Sequence, residues 1–261
     1  MRRSAAAKLG EWLPAAVILV GILAVWQGAI DLFHVQKFLL PKPTEIAKAL
    51  WDERHTLWPA GWYTFKEALG GFVGGSLLGI AFATLVARFQ RLGAAFMPLA
   101  IAANAVPIIA FAPIANAWFG EVSPHSKMAI AGVLCFFPVM VNTLRGLTSV
   151  RPRQIELMRA YAAGELEIFR RVRIPTALPY LFTALKVASV LSMIGAIVGE
   201  YFGGASSSAL GVLINSDAAV FDFTTAWAGI VVASLLGISL YLAVVLTERA
   251  VVRWTPEARP S

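Results

Sequence analysis

RPRQIELMRAYAAGELEIFRRVRIPTALP, residues Arg151 to Pro179, is a long polar segment between two apolar runs, and its reading decides how the rest of the chain is organised. From Gln154 to Ala163 the apolar residues Ile155, Met158 and Ala162 recur at three- and four-residue spacing, which places them on one helix face. Gly164 is expected to turn the chain, because glycine takes a left-handed backbone without strain. A second helix follows. Glu165 and Glu167 open it and Arg170, Arg171 and Arg173 close it, the order a helix macrodipole favours. Leu166, Phe169 and Val172 form its apolar stripe, and Pro175 and Pro179 punctuate the approach to the next run. A basic amphipathic segment of this kind is either a solvated loop or a docking surface, and its surroundings decide which.

Those surroundings are a membrane protein. Of 261 residues, 58% are hydrophobic and only 14% charged, far from the balance of a soluble domain. The net charge of +7 lies in short clusters beside apolar runs, with no basic face carrying interleaved aromatics. It therefore reads as membrane topology and not as nucleic-acid binding. Cys135, the single cysteine, sits in an apolar run and excludes a disulfide framework within one chain. No internal repeat or low-complexity tract divides the sequence, so residues 1–261 are read as one transmembrane domain. Arg2, Arg3 and Lys8 precede a run too long for a signal peptide and without a clear cleavage site, which makes that run an uncleaved first span.

Six runs meet the length of a spanning helix, giving an all-α membrane protein: 13–30, 68–87, 96–119, 128–144, 181–198 and 226–246. The fourth is short. Lysine and arginine counts orient them. The N-terminus, the second and fourth connections and the C-terminal tail hold fifteen, against six in the first, third and fifth connections. Both termini and the 151–179 segment are thereby expected in the cytoplasm.

Along the chain, Leu40-Pro41-Lys42-Pro43 leads into a short amphipathic helix with Ile46, Ala47, Leu50 and Trp51 on one face, an interfacial connector with Trp58 and Trp62 as belt residues. Gly71, Gly75 and Gly79, with Gly70 and Gly74 beside them, predict close helix packing in the second span. In the third span Pro107 and Pro113 each remove a backbone donor, and Asn104 and Asn116 add polar groups that must face protein or a water-filled cavity. Lys186 lies about one turn inside the fifth span and is read as snorkelling to the interface. Ser189, Ser192, Met193 and Ser206 to Ser208 supply small polar lining. Glu200 marks the outer end, either as an interface carboxylate or as a group holding a substrate amine or a partner helix terminus. Asp217 and Asp222, with no base near them, offer a surface to an external partner.

Glu156, Ala160, Ala163, Gly164, Val172, Ile174 and Pro175 resemble the EAA loop of permease subunits of bacterial ATP-binding-cassette importers. The glycine of that pattern falls on Ala162. If position 162 needs a positive φ, alanine costs roughly 1–2 kcal/mol there, so the turn is expected to have moved to Gly164. The segment from Pro107 to Gly120, PIIAFAPIANAWFG, with Phe136, Phe137 and Asn142, also resembles the nitrate, sulfonate and taurine branch of that family. The resemblance covers most of the chain and implies a type I importer permease fold with both termini inside. It implies residues 151–179 as the segment coupling to a separate ATPase, with a second permease copy and a periplasmic binding protein as further partners. In that branch the substrates are nitrate, sulfonates, taurine, and pyrimidine or flavin vitamin precursors.

This chain has no G-x-x-x-x-G-K-[ST] phosphate loop, so ATP and Mg belong to the partner ATPase and no cofactor is expected here. His34, His55 and His125 have no metal-ligand spacing, and nothing pairs a nucleophile with a base, so the chain is not read as an enzyme. Asn104, Asn116, Ser189, Ser192, Met193 and Glu200 are the candidates for the substrate path. A lining without a fixed arginine disfavours small anions and favours a neutral heterocycle over a sulfonate or nitrate. Two rivals come from other classes. A secondary transporter needs mid-membrane ionisable groups, and only Lys186 and Glu200 are candidates. A stand-alone vitamin-binding membrane subunit has no use for the long basic loop.

Overall fold

The computed structural model describes residues 5–37, 39–89, 107–202 and 208–254, and the regular structure within them is helical. In chain order the helices are α1 (Ala5–Phe33), α2 (Pro43–Asp52), α3 (Arg54–Arg88), α4 (Ile108–Phe119), α5 (Pro124–Thr148), α6 (Pro152–Ala160), α7 (Glu165–Ile168), a π turn (Phe169–Arg173), α8 (Ile174–Phe202), α9 (Leu210–Ala219) and α10 (Phe223–Val251). Among the described residues five stretches are long and apolar enough to cross a membrane: Ala16–Phe33, Arg54–Arg88, Pro124–Thr148, Glu165–Phe202 and Phe223–Val251. Ile108–Phe119 is apolar but shorter. It is the part of the expected third span that falls among the described residues, whereas Asn104 lies outside them.

Several boundaries differ from those read in the sequence. The fourth span runs 25 residues, because the Ser123 hydroxyl accepts the His125 N–H at 3.2 Å and Pro124 sits at the first helical position. That earlier start takes Lys127 out of the third connection and into the helix. The second span begins well before Ala68, so Trp58, Trp62 and Glu67 are helical. Neither Pro175 nor Pro179 ends a helix. A π turn precedes Pro175, with the Ile174 N–H reaching the Phe169 carbonyl five residues back, and α8 carries Pro179 within it.

The chain forms two compact units, Met1–Trp58 with Leu213–Val232, and Pro59–Val212 with Ala233–Ser261. In the first, α2 is tied back to α1. The Lys42 ammonium bonds the Asp31 carboxylate, the Thr44 hydroxyl bonds Gln27 Oε1 at 3.3 Å, and the Asp31 hydrogen bond raises the Lys42 pKa above its ordinary value. Trp26 packs edge-on against Trp227 with ring centroids 5.3 Å apart. Val17, Ile18, Leu19, Val20 and Ile22 stay exposed along α1, the surface a helix shows to lipid.

In the second unit α5 is the central helix, packed against α3 on one side and α8 on another. Gly71, Gly75 and Gly79 of α3 lie against the α5 backbone: a Cβ at Gly79 would stand 2.8 Å from the Phe136 carbonyl oxygen. Gly195 of α8 approaches Ala131 of α5 as closely, at 2.7 Å from a Cβ to Cα. Without a hydrophobic force between helices in lipid, such backbone proximity supplies the dispersion that holds them. Towards one end Ala83, Val86, Ala87, Met140, Leu144, Leu147 and Ala177 close a buried apolar cluster. Towards the middle Cys135, Val139, Ala184 and Ala188 form another.

Candidate functional site

The polar loop after α5 is built as two short helices around a tight turn. Pro152 opens α6, where its missing N–H costs nothing. At the other end the Ala163 N–H bonds the Met158 carbonyl at 3.0 Å and the Ala162 N–H bonds the Arg159 carbonyl at 2.9 Å. That nested pair closes a helix around one left-handed residue, and the residue is Ala162, at φ +57. The expectation that the turn had moved to Gly164 is overturned. Gly164 has φ −74 and ψ 163, an extended conformation open to any residue, and caps α7 instead.

The reason lies in the hydrogen bonds. Two α6 carbonyls are satisfied only if the chain reverses immediately after Tyr161, so position 162 must be left-handed whatever occupies it. Replacing Ala162 by glycine is expected to stabilise the loop by about 1 kcal/mol, the left-handed penalty that a Cβ carries. Hydrogen–deuterium exchange over residues 152–168 should slow about five-fold, and unchanged exchange would show that the turn tolerates alanine without strain.

Around this turn the loop exposes an apolar and charged surface. Leu157, Tyr161 and Leu166 are 58%, 79% and 68% exposed, with Glu156 and Ala160 exposed beside them. Ile155 and Met158 turn half inward, and Ile168 is fully buried, anchoring α7. Val172 and Pro175 are half-buried, and Ile174 is 38% exposed. Arg159 bridges the turn to Glu165 at 2.8 Å. A cavity of about 300 Å³ beneath α6 is lined by Leu147, Ile155, Glu156, Arg159 and Arg173.

Of the expected substrate-path residues, Ser189, Ser192, Met193 and Glu200 belong to α8 and Asn116 to α4. Asn116 of α4 is buried, and among the described residues neither its amide oxygen nor its nitrogen has a partner. The Ser189 and Ser192 hydroxyls donate to carbonyls three residues back in α8, at 2.7 and 2.9 Å. Met193 is buried against the region of Gly237 in α10. Lys186 forms an ion pair with Glu248 of α10 at 2.9 Å and stands well inside α8 (Ile174–Phe202). The Glu248 carboxylate, and not a nearby end of α8, therefore holds its ammonium, which corrects the snorkelling expectation.

Glu200, 1% exposed, sits in a buried polar cluster. Its carboxyl accepts the Thr64 hydroxyl at 2.6 Å and the Gly211 N–H at 2.7 Å, and the Thr64 oxygen accepts the Leu210 N–H at 3.0 Å. Leu210 and Gly211 are the first residues of α9, so a carboxyl from α8 and a hydroxyl from α3 occupy that helix N-terminus. Glu67 of α3 and Lys127 of α5 interact with the same carboxyl, and the Lys127 ammonium donates to the Glu121 carbonyl. The sequence reading missed Glu67 and Lys127 because it placed the first just outside a span and the second in a connection. On the other unit, burial first, then Asp222 and Glu53, raise the Asp217 pKa above its ordinary value.

The family model described as "binding-protein-dependent transport system inner membrane component" matches residues 75–253, which run from Gly75 within α3 through α5, the whole polar loop and α8. The chain belongs to this family. It is therefore a transport subunit of a type I ATP-binding-cassette importer, a multi-pass inner-membrane protein and not itself an enzyme. Such a permease works with an ATPase and a substrate-binding protein. The permease is 32% identical over 94% of its length to the riboflavin transport system permease protein RibX of Chloroflexus aurantiacus, covering 91% of that protein. It is also 32% identical over 93% of its length to the formylaminopyrimidine transport permease protein ThiX of Halalkalibacterium halodurans, covering 96% of it. The putative aliphatic sulfonates transport permease protein SsuC of Escherichia coli is 28% identical over 91% of this chain and 90% of its own. A chain of the MetNI methionine transporter in an inward-facing conformation matches at a TM-score of 0.65 and 18% identity, over 76% of this chain and 97% of that one. That likeness extends the family assignment to the fold.

Proposed function

We propose that this permease imports a small heterocyclic solute, such as a pyrimidine or flavin vitamin precursor, and couples to its ATPase through residues 151–179. In this reading the permease is a homodimer of six-span chains, each with both termini in the cytoplasm, and ATP with Mg sits on the ATPase. The observation that carries the coupling is the exposed turn at Ala162. A left-handed residue closing α6 presents Glu156, Ala160, Tyr161, Ala163 and Gly164 on a short, rigid projection continuous through the π turn, Val172, Ile174 and Pro175 with α8. A push on that projection is delivered to a spanning helix.

The substrate reading rests on the two relatives at 32% identity, whose names specify riboflavin and formylaminopyrimidine, and on a path with no assigned arginine. The alternative within the same importer class is a sulfonate, taurine or nitrate, and relatives so named are 22–28% identical. A secondary transporter or a vitamin-binding subunit leaves the projection without a role. The path is proposed to run past Asn104, Asn116, Ser189, Ser192 and Met193, with Glu200 at its outer end.

The double variant Glu156→Lys, Gly164→Trp tests the coupling. Glu156 and Gly164 are both exposed, and a Cβ at Gly164 meets nothing within 4 Å, so the fold has room for both changes. Co-purification of the ATPase should be lost while membrane insertion is retained, and unchanged co-purification would refute the assignment. Native mass spectrometry of the cognate binding protein tests the substrate. A retained pyrimidine or flavin supports the reading, whereas a sulfonate or inorganic anion favours the alternative.

A further inference from the structure

A cavity of about 990 Å³ lies between the last turns of α3 and the α7–π-turn segment. Its walls differ in character. Leu85, Leu166 and Phe169 line it with apolar surface, whereas Arg88, Arg159 and Arg173 bring three guanidinium groups to it. One carboxylate, Glu165, answers them, and it is already held by Arg159 at 2.8 Å. The charges of Arg88 and Arg173 also reach that carboxylate, but among the described residues neither arginine has an ion-pair partner of its own. Two positive charges are left over at the mouth of an apolar cleft.

From this charge and this wall we propose that the cavity binds an anionic phospholipid of the inner leaflet, its phosphate between Arg88 and Arg173 and its chains along Leu85 and Phe169. Arginine suits the phosphate because its planar fork donates two parallel hydrogen bonds. The apolar wall separates a lipid from a soluble anion. Leu85 and Leu166 are 57% and 68% exposed directly beside the arginines, an arrangement that a free phosphate leaves uncovered and an acyl chain covers. Bound there, the lipid touches both the end of α3 and the segment that transmits motion to α8, so it tunes the coupling loop from the membrane side.

The proposal rests on the orientation given above, which is tested separately by labelling Arg170→Cys from either side of the membrane. The lipid test uses the permease–ATPase complex in detergent with equimolar phosphatidylglycerol and phosphatidylcholine, read by native mass spectrometry. At about 1 kcal/mol per basic residue, two arginines give on the order of 30-fold preference for phosphatidylglycerol. Arg88→Gln with Arg173→Gln should abolish the preference, and Arg88→Lys with Arg173→Lys should keep most of it. Equal retention of the two lipids by the native complex overturns the proposal. So does displacement of phosphatidylglycerol by excess inorganic phosphate, which marks a soluble-anion site. Loss of the ATPase from the glutamine variant with lipid preference intact overturns it too, by assigning these arginines to the ATPase interface.

Discussion

Glu200→Ala is expected to destabilise the permease by about 3–5 kcal/mol, the sum of a buried donor left unpaired and the cavity left by the side chain. The carboxyl accepts two hydrogen bonds, from the Thr64 hydroxyl and the Gly211 N–H; alanine leaves the Gly211 N–H without an acceptor and the Thr64 hydroxyl with the Ala60 carbonyl alone, at 3.2 Å. A buried donor so orphaned costs about 1–3 kcal/mol. The Leu210 N–H depends on the same arrangement through the Thr64 oxygen, so the whole first turn of α9 loses its anchor. Glu200→Gln separates this from a simple loss of volume. Its carbonyl can accept the Gly211 N–H while its NH2 turns to the Thr64 oxygen, whose hydroxyl then falls back on the Ala60 carbonyl, so a destabilisation between native and alanine is expected. Thermal unfolding in detergent, with proteolysis before α9 as a local readout, measures both. An alanine variant as stable as native, with α9 still protected, would mean that water replaces the carboxyl and that Glu200 does not hold the helix.

The same cluster shows what could be read in the sequence and what could not. Composition and run length sufficed for a membrane-spanning all-helical chain, because apolar length is a property of single segments. The polar loop was legible for the same reason: its two helices carry their periodicity and charge order locally. The site of its turn was not, because glycine at 164 and alanine at 162 give opposite advice and only the backbone hydrogen bonds of Ala162 and Ala163 decide between them.

The buried ionisable groups were hidden by span boundaries. Glu67 stands four residues before Gly71, in line with Gly75 and Gly79, and Lys127 stands four before Ala131, in line with Cys135 and Val139. Extending each stripe one turn would have included them. The apolar-run criterion stopped at the charge, although a charge in line with a packing stripe is the one that a helix buries. The substrate path was least legible. Serine in a helix is as readily satisfied by a carbonyl of the preceding turn as by a cavity, and Ser189 and Ser192 take that option.

Gly75→Val in α3 should cost about 3 kcal/mol or more, while Gly74→Val one position earlier should change stability by well under half of that. Both replace glycine by the same β-branched residue in the same helix, so propensity and the unfolded chain contribute alike. What differs is the neighbour. A Cβ at Gly75 would stand 2.8 Å from the Gly132 Cα and carbonyl carbon, and these are backbone atoms of α5 that no rotamer change can move aside. A Cβ at Gly74 meets nothing within 4 Å and points to an exposed face. Overpacking a formed interface costs about 1–3 kcal/mol, occasionally more, and the overlap at Gly75 begins with the first carbon added. Even Gly75→Ala should therefore be destabilising, although alanine is the better helix former. Because α5 meets Gly195 of α8 on another side, displacement by valine cannot be relieved by a shift of α5 alone. The expected result is a lowered unfolding temperature together with weakened transport for Gly75→Val, and near-native behaviour for Gly74→Val. Equal effects at the two positions would mean that the α3–α5 contact is loose enough to open, and that the glycine stripe serves something other than close packing.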